Sequence, residues 1–215
     1  RETETQSLTV EELQAVLNAL NEEPLKWRVL VYVLIDTGIR RGECCGLKWE
    51  DIDLEAQVIT IRRNLCYTPA RGVYVDTPKS GRIREVDIGP ETTALLRSLK
   101  EQSAGEFVFT QEGSPAPMHP QSPTRYLKKL SARCGVPDLH PYKLRHTFAS
   151  IAITAGADVA SVSEALGHSD KAVTLRMYTH ADTESRKRAS QIFRNAIKKA
   201  GEFPQPQKEK ADQGV

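Results

Sequence analysis

The chain has 215 residues, 27% of them charged and 39% hydrophobic, with a formal net charge of +2; that is enough length to bury a sizeable core in one domain, in a composition ordinary for a globular protein. No apolar run reaches the length of a membrane span, and the polar opening RETETQS lacks the character of a secretory signal, so a cytoplasmic protein with no membrane partner is expected. The four cysteines, Cys44, Cys45, Cys66 and Cys134, include no C-x-x-C pair, which argues against a disulfide framework or zinc ribbon and leaves them as small core residues.

Thr9 stands three residues before Glu12, the spacing of a capping box, and Leu13, Val16, Leu17 and Leu20 follow at helical period, so a helix begins near Val10. LKWRVLVYVLIDTG is apolar on nearly all sides, as suits a core helix stopped by Gly38. RRGECCGL predicts a short helix entering solvent-facing polar sequence. From Val58 the period shortens. VITIRR, VYVDT and REVDI are β-branched runs separated by the turn-rich TPARG and PKSGR, which predicts a small antiparallel meander with Lys79 at a hairpin tip. Pro90 opens a helix to about Leu99, EFVF is a brief extended piece, EGSPAPMHPQSP is a loop, and helices resume around Thr124. The last, ESRKRASQIFRNAIKKAG, carries Ala189, Ile192, Phe193 and Ile197 on one stripe and ends at Gly201; the Pro-rich polar remainder cannot fold alone. The expected layout is a polar lead-in over 1–7, one folded domain over 8–200 and a flexible tail over 201–215.

Basic clusters (IRRN, KSGRIR, LKKL, SRKR) alternate with acidic ones, and each alone reads as a solvated face. Four stretches combine unusual residue types with contexts that could aim them: DTGIRRGE, TPKSGR, HPYKLRHT and ALGHSDKAVTLRMYTH. Arginine presents a planar fork suited to two non-bridging phosphate oxygens, a lysine at a hairpin tip can donate a proton to a leaving alkoxide, and a tyrosine hydroxyl can act as a covalent nucleophile. Plainer alternatives stand beside each. Arg40 and Glu43 have the spacing of a surface ion pair, Lys79 that of a solvated turn residue, His146 can be a packed core histidine and Tyr178 a half-buried aromatic. Five histidines occur without H-E-x-x-H or Cys/His ligand spacing, so no metal site is expected.

Taken in order, TGIRRGE, a hairpin lysine, LRHT, LGH and a tyrosine ten positions after that histidine resemble the catalytic domain of the tyrosine recombinases, the phage and conjugative-transposon integrase family, over about Leu8–Ala200. The resemblance implies an α+β, mainly α-helical fold with a small three-stranded antiparallel sheet, and a C-terminal helix at about 183–200 that can be exchanged with a neighbour. It implies catalytic roles for Arg40, Lys79, Arg145 and His168, a nucleophilic Tyr178, and supporting roles for Glu43 and Tyr142. Arg41, Arg82, Lys143 and His146 are expected DNA contacts. The family often has histidine where Tyr142 stands; a phenol can donate a hydrogen bond to phosphate but does not shuttle protons near neutral pH. The implied activity is site-specific cleavage and rejoining of double-stranded DNA through a 3′-phosphotyrosine, without a cofactor, by a tetramer of a longer protein of which this chain looks like a fragment. HPYKLRHTFAS would then sit at a helix N-terminus, where backbone N–H groups add to Arg145 in holding phosphate. Two alternatives are a non-catalytic helix-turn-helix regulator built on DVASVSEALGHSDKAVTLRMY and a type IB topoisomerase.

Overall fold

The computed structural model describes residues 7–77, 81 and 83–167. The readings made on Lys79, Arg82, His168, Tyr178, the final helix and the tail lie outside the described residues. Helix α1 (Val10–Leu20) starts with the expected capping box: Thr9 Oγ1 accepts from the Glu12 N–H at 3.1 Å while Glu12 Oε2 accepts from the Thr9 N–H at 2.9 Å. Just before it, Leu8 is buried and its N–H donates to Thr147 Oγ1 at 2.9 Å, pinning this segment to a residue 139 positions away.

Helix α2 (Leu25–Thr37) is the centre of the fold. Val29, Leu30, Val31, Val33 and Leu34 are all buried along it, which is why its sequence is apolar all round. It ends at Gly38 in the left-handed conformation. Helix α3 (Arg41–Cys45) follows at once, and here the expectation of a solvent-facing segment fails: Gly42, Glu43, Cys44 and Cys45 are all buried. The reason is a close approach to strand β3 (Asn64–Thr68); a Cβ on Gly42 would lie 2.5 Å from the Leu65 carbonyl oxygen. Burial pushes the Cys45 thiol up to about 12 and the Cys44 thiol up as well, so both are inert core fillers.

The strands also differ from a single meander. Short β1 (Ile52–Asp53), β2 (Val58–Ile61) and β5 (Arg84–Asp87) form a three-stranded antiparallel sheet in the order β1-β2-β5, while β3 pairs with β4 (Gly72–Asp76) in a separate hairpin. VYVDT and REVDI therefore belong to different sheets, and the segment containing Lys79 connects them. Helix α4 (Pro90–Glu101) packs on α2, and α5 (Ser122–Cys134), which begins two residues earlier than expected, packs on α1. Trp27 and Tyr126 stack between α2 and α5, with ring centroids 4.2 Å apart. Helix α6 (Pro141–Thr154) lies on α2, and α7 (Val159–Leu166) lies on both α6 and β5. Three elements distant in sequence, the α2–α3 junction, the start of β5 and the end of α7, thereby meet.

Candidate active site

The meeting point is built around a buried carboxylate. Arg40 is the residue before α3, and Glu43 sits three positions on, so its side chain reaches back to accept the Arg40 N–H at 2.9 Å and Arg40 Nη1 at 3.1 Å. The same carboxylate accepts Arg84 Nη1 at 3.1 Å and Arg84 Nη2 at 2.7 Å, a two-pronged pair from β5. Glu43 has no exposed side-chain area, which rules out the surface ion pair. Burial by itself would raise the Glu43 carboxyl, but the hydrogen bonds and charge of Arg84, then of Arg40, outweigh it and hold the group below its ordinary value.

The arginines are also aimed at a helix end. The last carbonyls of an α-helix lack intrahelical partners and carry partial negative charge. At the end of α7, Arg84 Nε donates to Ala165 O at 2.8 Å, Arg145 Nη2 to Leu166 O at 2.7 Å, and Arg40 to Leu166 O and Gly167 O at 3.4 and 3.0 Å. Arg145 Nη1 donates to Gly38 O at 2.8 Å, closing the ring back to the end of α2. Gly167 itself is left-handed, with φ of 65°, and a Cβ there would lie 2.8 Å from Arg84 Cζ; both conformation and space demand glycine. His168 is the next residue in sequence.

Among the described residues the cluster holds three guanidinium groups against one carboxylate and so carries excess positive charge. Burial, foremost, and the adjacent Arg40 and Arg84 charges bring Arg145 down to about 9, with Glu43 acting the other way; it remains a cation at neutral pH. Arg40 is about a quarter exposed, and among the described residues its Nε takes no partner. Such an arrangement can receive an anion with donors already fixed in place.

The remaining expected residues fall unevenly. His140 caps α6, its Nδ1 accepting the Lys143 N–H at 3.1 Å, so this nitrogen is unprotonated; burial and nearby Lys143 lower its proton affinity. Arg145 is in the second turn of α6, and its fork faces carbonyls rather than the N–H groups at the helix start. Lys143 is a correction: its side chain is buried and Nζ donates to Pro137 O at 3.0 Å, so it does not present a DNA-facing charge. His146 is half-buried with Nδ1 3.3 Å from Ser150 Oγ. Arg41 is exposed and donates to Thr124 Oγ1 at 3.0 Å, and Tyr142 is half exposed in the first turn of α6. No motif in the sequence marks Arg84; its one signal is that Arg84, Val86 and Ile88 alternate on one face of a run whose other two members are core residues.

The sequence matches the phage integrase family over residues 6–185. It is 31% identical over 183 residues to the tyrosine recombinase XerC of Xanthomonas campestris pv. campestris (strain B100), covering 82% of this chain and 52% of that protein. It is 32% identical over 181 residues to the tyrosine recombinase XerA of Saccharolobus solfataricus, covering 84% and 54%. The chain thus spans about half the length of these curated relatives. The structure of the Tn1549 transposon integrase in complex with a circular intermediate DNA is similar with a TM-score of 0.78 and 22% identity, over 87% of this chain and 65% of that one. A crystal structure of XerA recombinase gives 0.70 and 24% over 88% and 65%. These likenesses are of fold, that of tyrosine recombinase catalytic domains, helical with a small antiparallel sheet. Since the family match takes in residues 6–185, the whole buried arginine cluster included, this chain belongs to the phage integrase family of tyrosine recombinases.

Proposed function

We propose that this chain is the catalytic domain of a site-specific DNA recombinase that integrates or excises mobile DNA. The observation that carries the reading is the convergence of Arg40 and Arg145 on one carbonyl, Leu166 O, two residues before His168. In this reading a scissile phosphate is held by Arg40, Arg145 and His168, with the Tyr142 hydroxyl as a further donor. Tyr178 attacks phosphorus, its phenolic proton leaving to solvent or a neighbouring base, and the P–O5′ bond breaks as Lys79 gives a proton to the departing oxygen. The 3′-phosphotyrosine is then attacked by the 5′-hydroxyl of a partner strand, which restores the phosphodiester and frees the tyrosine. One phosphoester replaces another at each step, so no nucleotide triphosphate or other cofactor is required. Fixed guanidinium groups supply the charge stabilisation that a metal ion provides in other phosphoryl transfers.

Double-stranded DNA is the partner this reading requires, bound through backbone phosphates near Arg41, Arg82 and His146, with the full-length protein acting as a homotetramer on two duplexes in the cytoplasm. The family match and the DNA-bound integrase of similar fold support it; among the described residues no helix is long and apolar enough to cross a membrane. A nicked duplex whose cleaved 5′ end diffuses away tests the proposal: a denaturant-resistant protein–DNA adduct is expected, and none from Tyr178→Phe. No adduct from the unsubstituted chain would point to a helix-turn-helix regulator, a reading that leaves the buried arginine cluster without a task. Relaxation of supercoiled plasmid without strand exchange would point to a topoisomerase.

A further inference from the structure

We propose that Arg84 is a positioning residue for strand cleavage, fixing Arg40 through their shared carboxylate and the end of α7 through its backbone. The inference rests on the recombinase reading above. Arg84 is buried, and all three of its nitrogens are engaged: Nη1 and Nη2 on Glu43 and Nε on Ala165 O. Glu43 is therefore held in one orientation from two sides, by Arg84 of β5 and by Arg40 at the start of α3. Without Arg84 the carboxylate can collapse onto Arg40 alone and draw it out of its line with Leu166 O and Gly167 O.

Three further placements make this residue more than a strut. Its guanidinium underlies Gly167, the residue before His168. It is the first residue of β5, five positions after Lys79, so the chain leaving the lysine segment is anchored here. Moreover, burying an ion pair is a poor route to stability, since well-packed apolar side chains do as well or better in its place; what the pair adds is direction. Lysine cannot reproduce that direction, because it has no fork and only one nitrogen.

The test measures single-turnover cleavage of the nicked duplex by the full chain at saturating DNA, alongside DNA affinity, for Arg84→Met and Arg84→Lys. Arg84→Met is expected to slow cleavage by about 10²-fold, the scale of an ångström-sized misplacement, with the dissociation constant for the duplex changed by less than about threefold, since base and phosphate contacts are made elsewhere. The acid limb of its rate–pH profile should move to higher pH, because Glu43, which faces Arg40, Arg84 and Arg145, loses its strongest partner. Arg84→Lys should recover part of the rate, and combining Arg84→Met with Glu43→Gln should add little to the slower single variant. Unchanged cleavage, or a rate loss matched by lost affinity with an unmoved pH profile, would overturn the inference, as would failure of both variants to fold, which would make Arg84 a purely structural residue. If the unsubstituted chain yields no adduct, the recombinase reading fails; if it and Arg84→Met react equally fast, only this inference does.

Discussion

Replacing Glu43 by Gln preserves shape but removes the only carboxylate of the described cluster. The native side chain accepts four hydrogen bonds between 2.7 and 3.1 Å from Arg40 and Arg84. The amide oxygen of Gln can keep about two of these, while its NH2 group confronts the other donors. Taking away one member of a buried ion pair costs about 3–5 kcal/mol. The full range applies because the Arg84 side chain is 7% exposed and finds little water; Arg40, at 26%, can relax outward and contributes less. Against a total stability of about 5–15 kcal/mol this is severe, and it corresponds to a fall in Tm of roughly 6–20 °C at about 2–4 °C per kcal/mol for a chain of this size. Urea unfolding followed by circular dichroism should show a lower midpoint with an unchanged slope. A loss below about 1 kcal/mol would refute the reasoning, since the three guanidinium groups would then be at ease without their counter-ion.

Acid sharpens the same comparison: because the Glu43 pKa is depressed in the folded protein, its stabilisation is complete above the ordinary value of 4.5 and is lost as pH falls through the lower folded value, so the gap between native and Glu43→Gln midpoints should narrow and then close as the pH is taken progressively below 4.5. Gly42→Ala places a Cβ 2.5 Å from the Leu65 carbonyl oxygen, and the forced separation of α3 from β3 should cost about 1–3 kcal/mol in the same urea assay. Truncating either residue proposed to hold the phosphate, Arg40→Ala or Arg145→Ala, should slow adduct formation by about 10³-fold, whereas addition of EDTA should leave the native rate unaltered. DNA binding by the chain should weaken steeply with salt, the slope of log K against log salt being close to −0.9 per phosphate contacted.

The local part of this architecture is readable from neighbours in the chain. Thr9 and Glu12 announce α1, and the all-round apolar run before Gly38 announces α2, because a cap and a core helix are encoded within a few residues. The sheets are not. VITI and NLCYT follow one another almost without a break, so nothing local divides β2 from β3, and sheet membership depends on the register of Val58 with Asp87 and Ile61 with Arg84, which no local signal supplies. The site shows the same division. TGIRRGE and LRHT locate Arg40, Glu43 and Arg145, yet whether Glu43 is a surface partner or a buried hub is decided by Arg84, 41 positions away. Lys143 misled for the complementary reason: a lysine in a basic stretch suggests a free charge, and the carbonyl that engages it, Pro137 O, becomes visible only when the chain turns before α6.

Besides Glu43, the acceptors that organise the arginines are main-chain oxygens: Gly38, Ala165, Leu166 and Gly167 receive five donors from Arg40, Arg84 and Arg145. At Leu166 the peptide oxygen survives a change of side chain, so alanine scanning would leave that acceptor in place and underrate it, whereas at Gly38 and Gly167 an added Cβ would itself move the chain. What selection must guard here is the path of the chain, which needs glycine at Gly38 and Gly167 but only a helix-compatible residue at Leu166, and substitutions that redirect it, such as proline at Leu166, are the ones that would reveal the dependence.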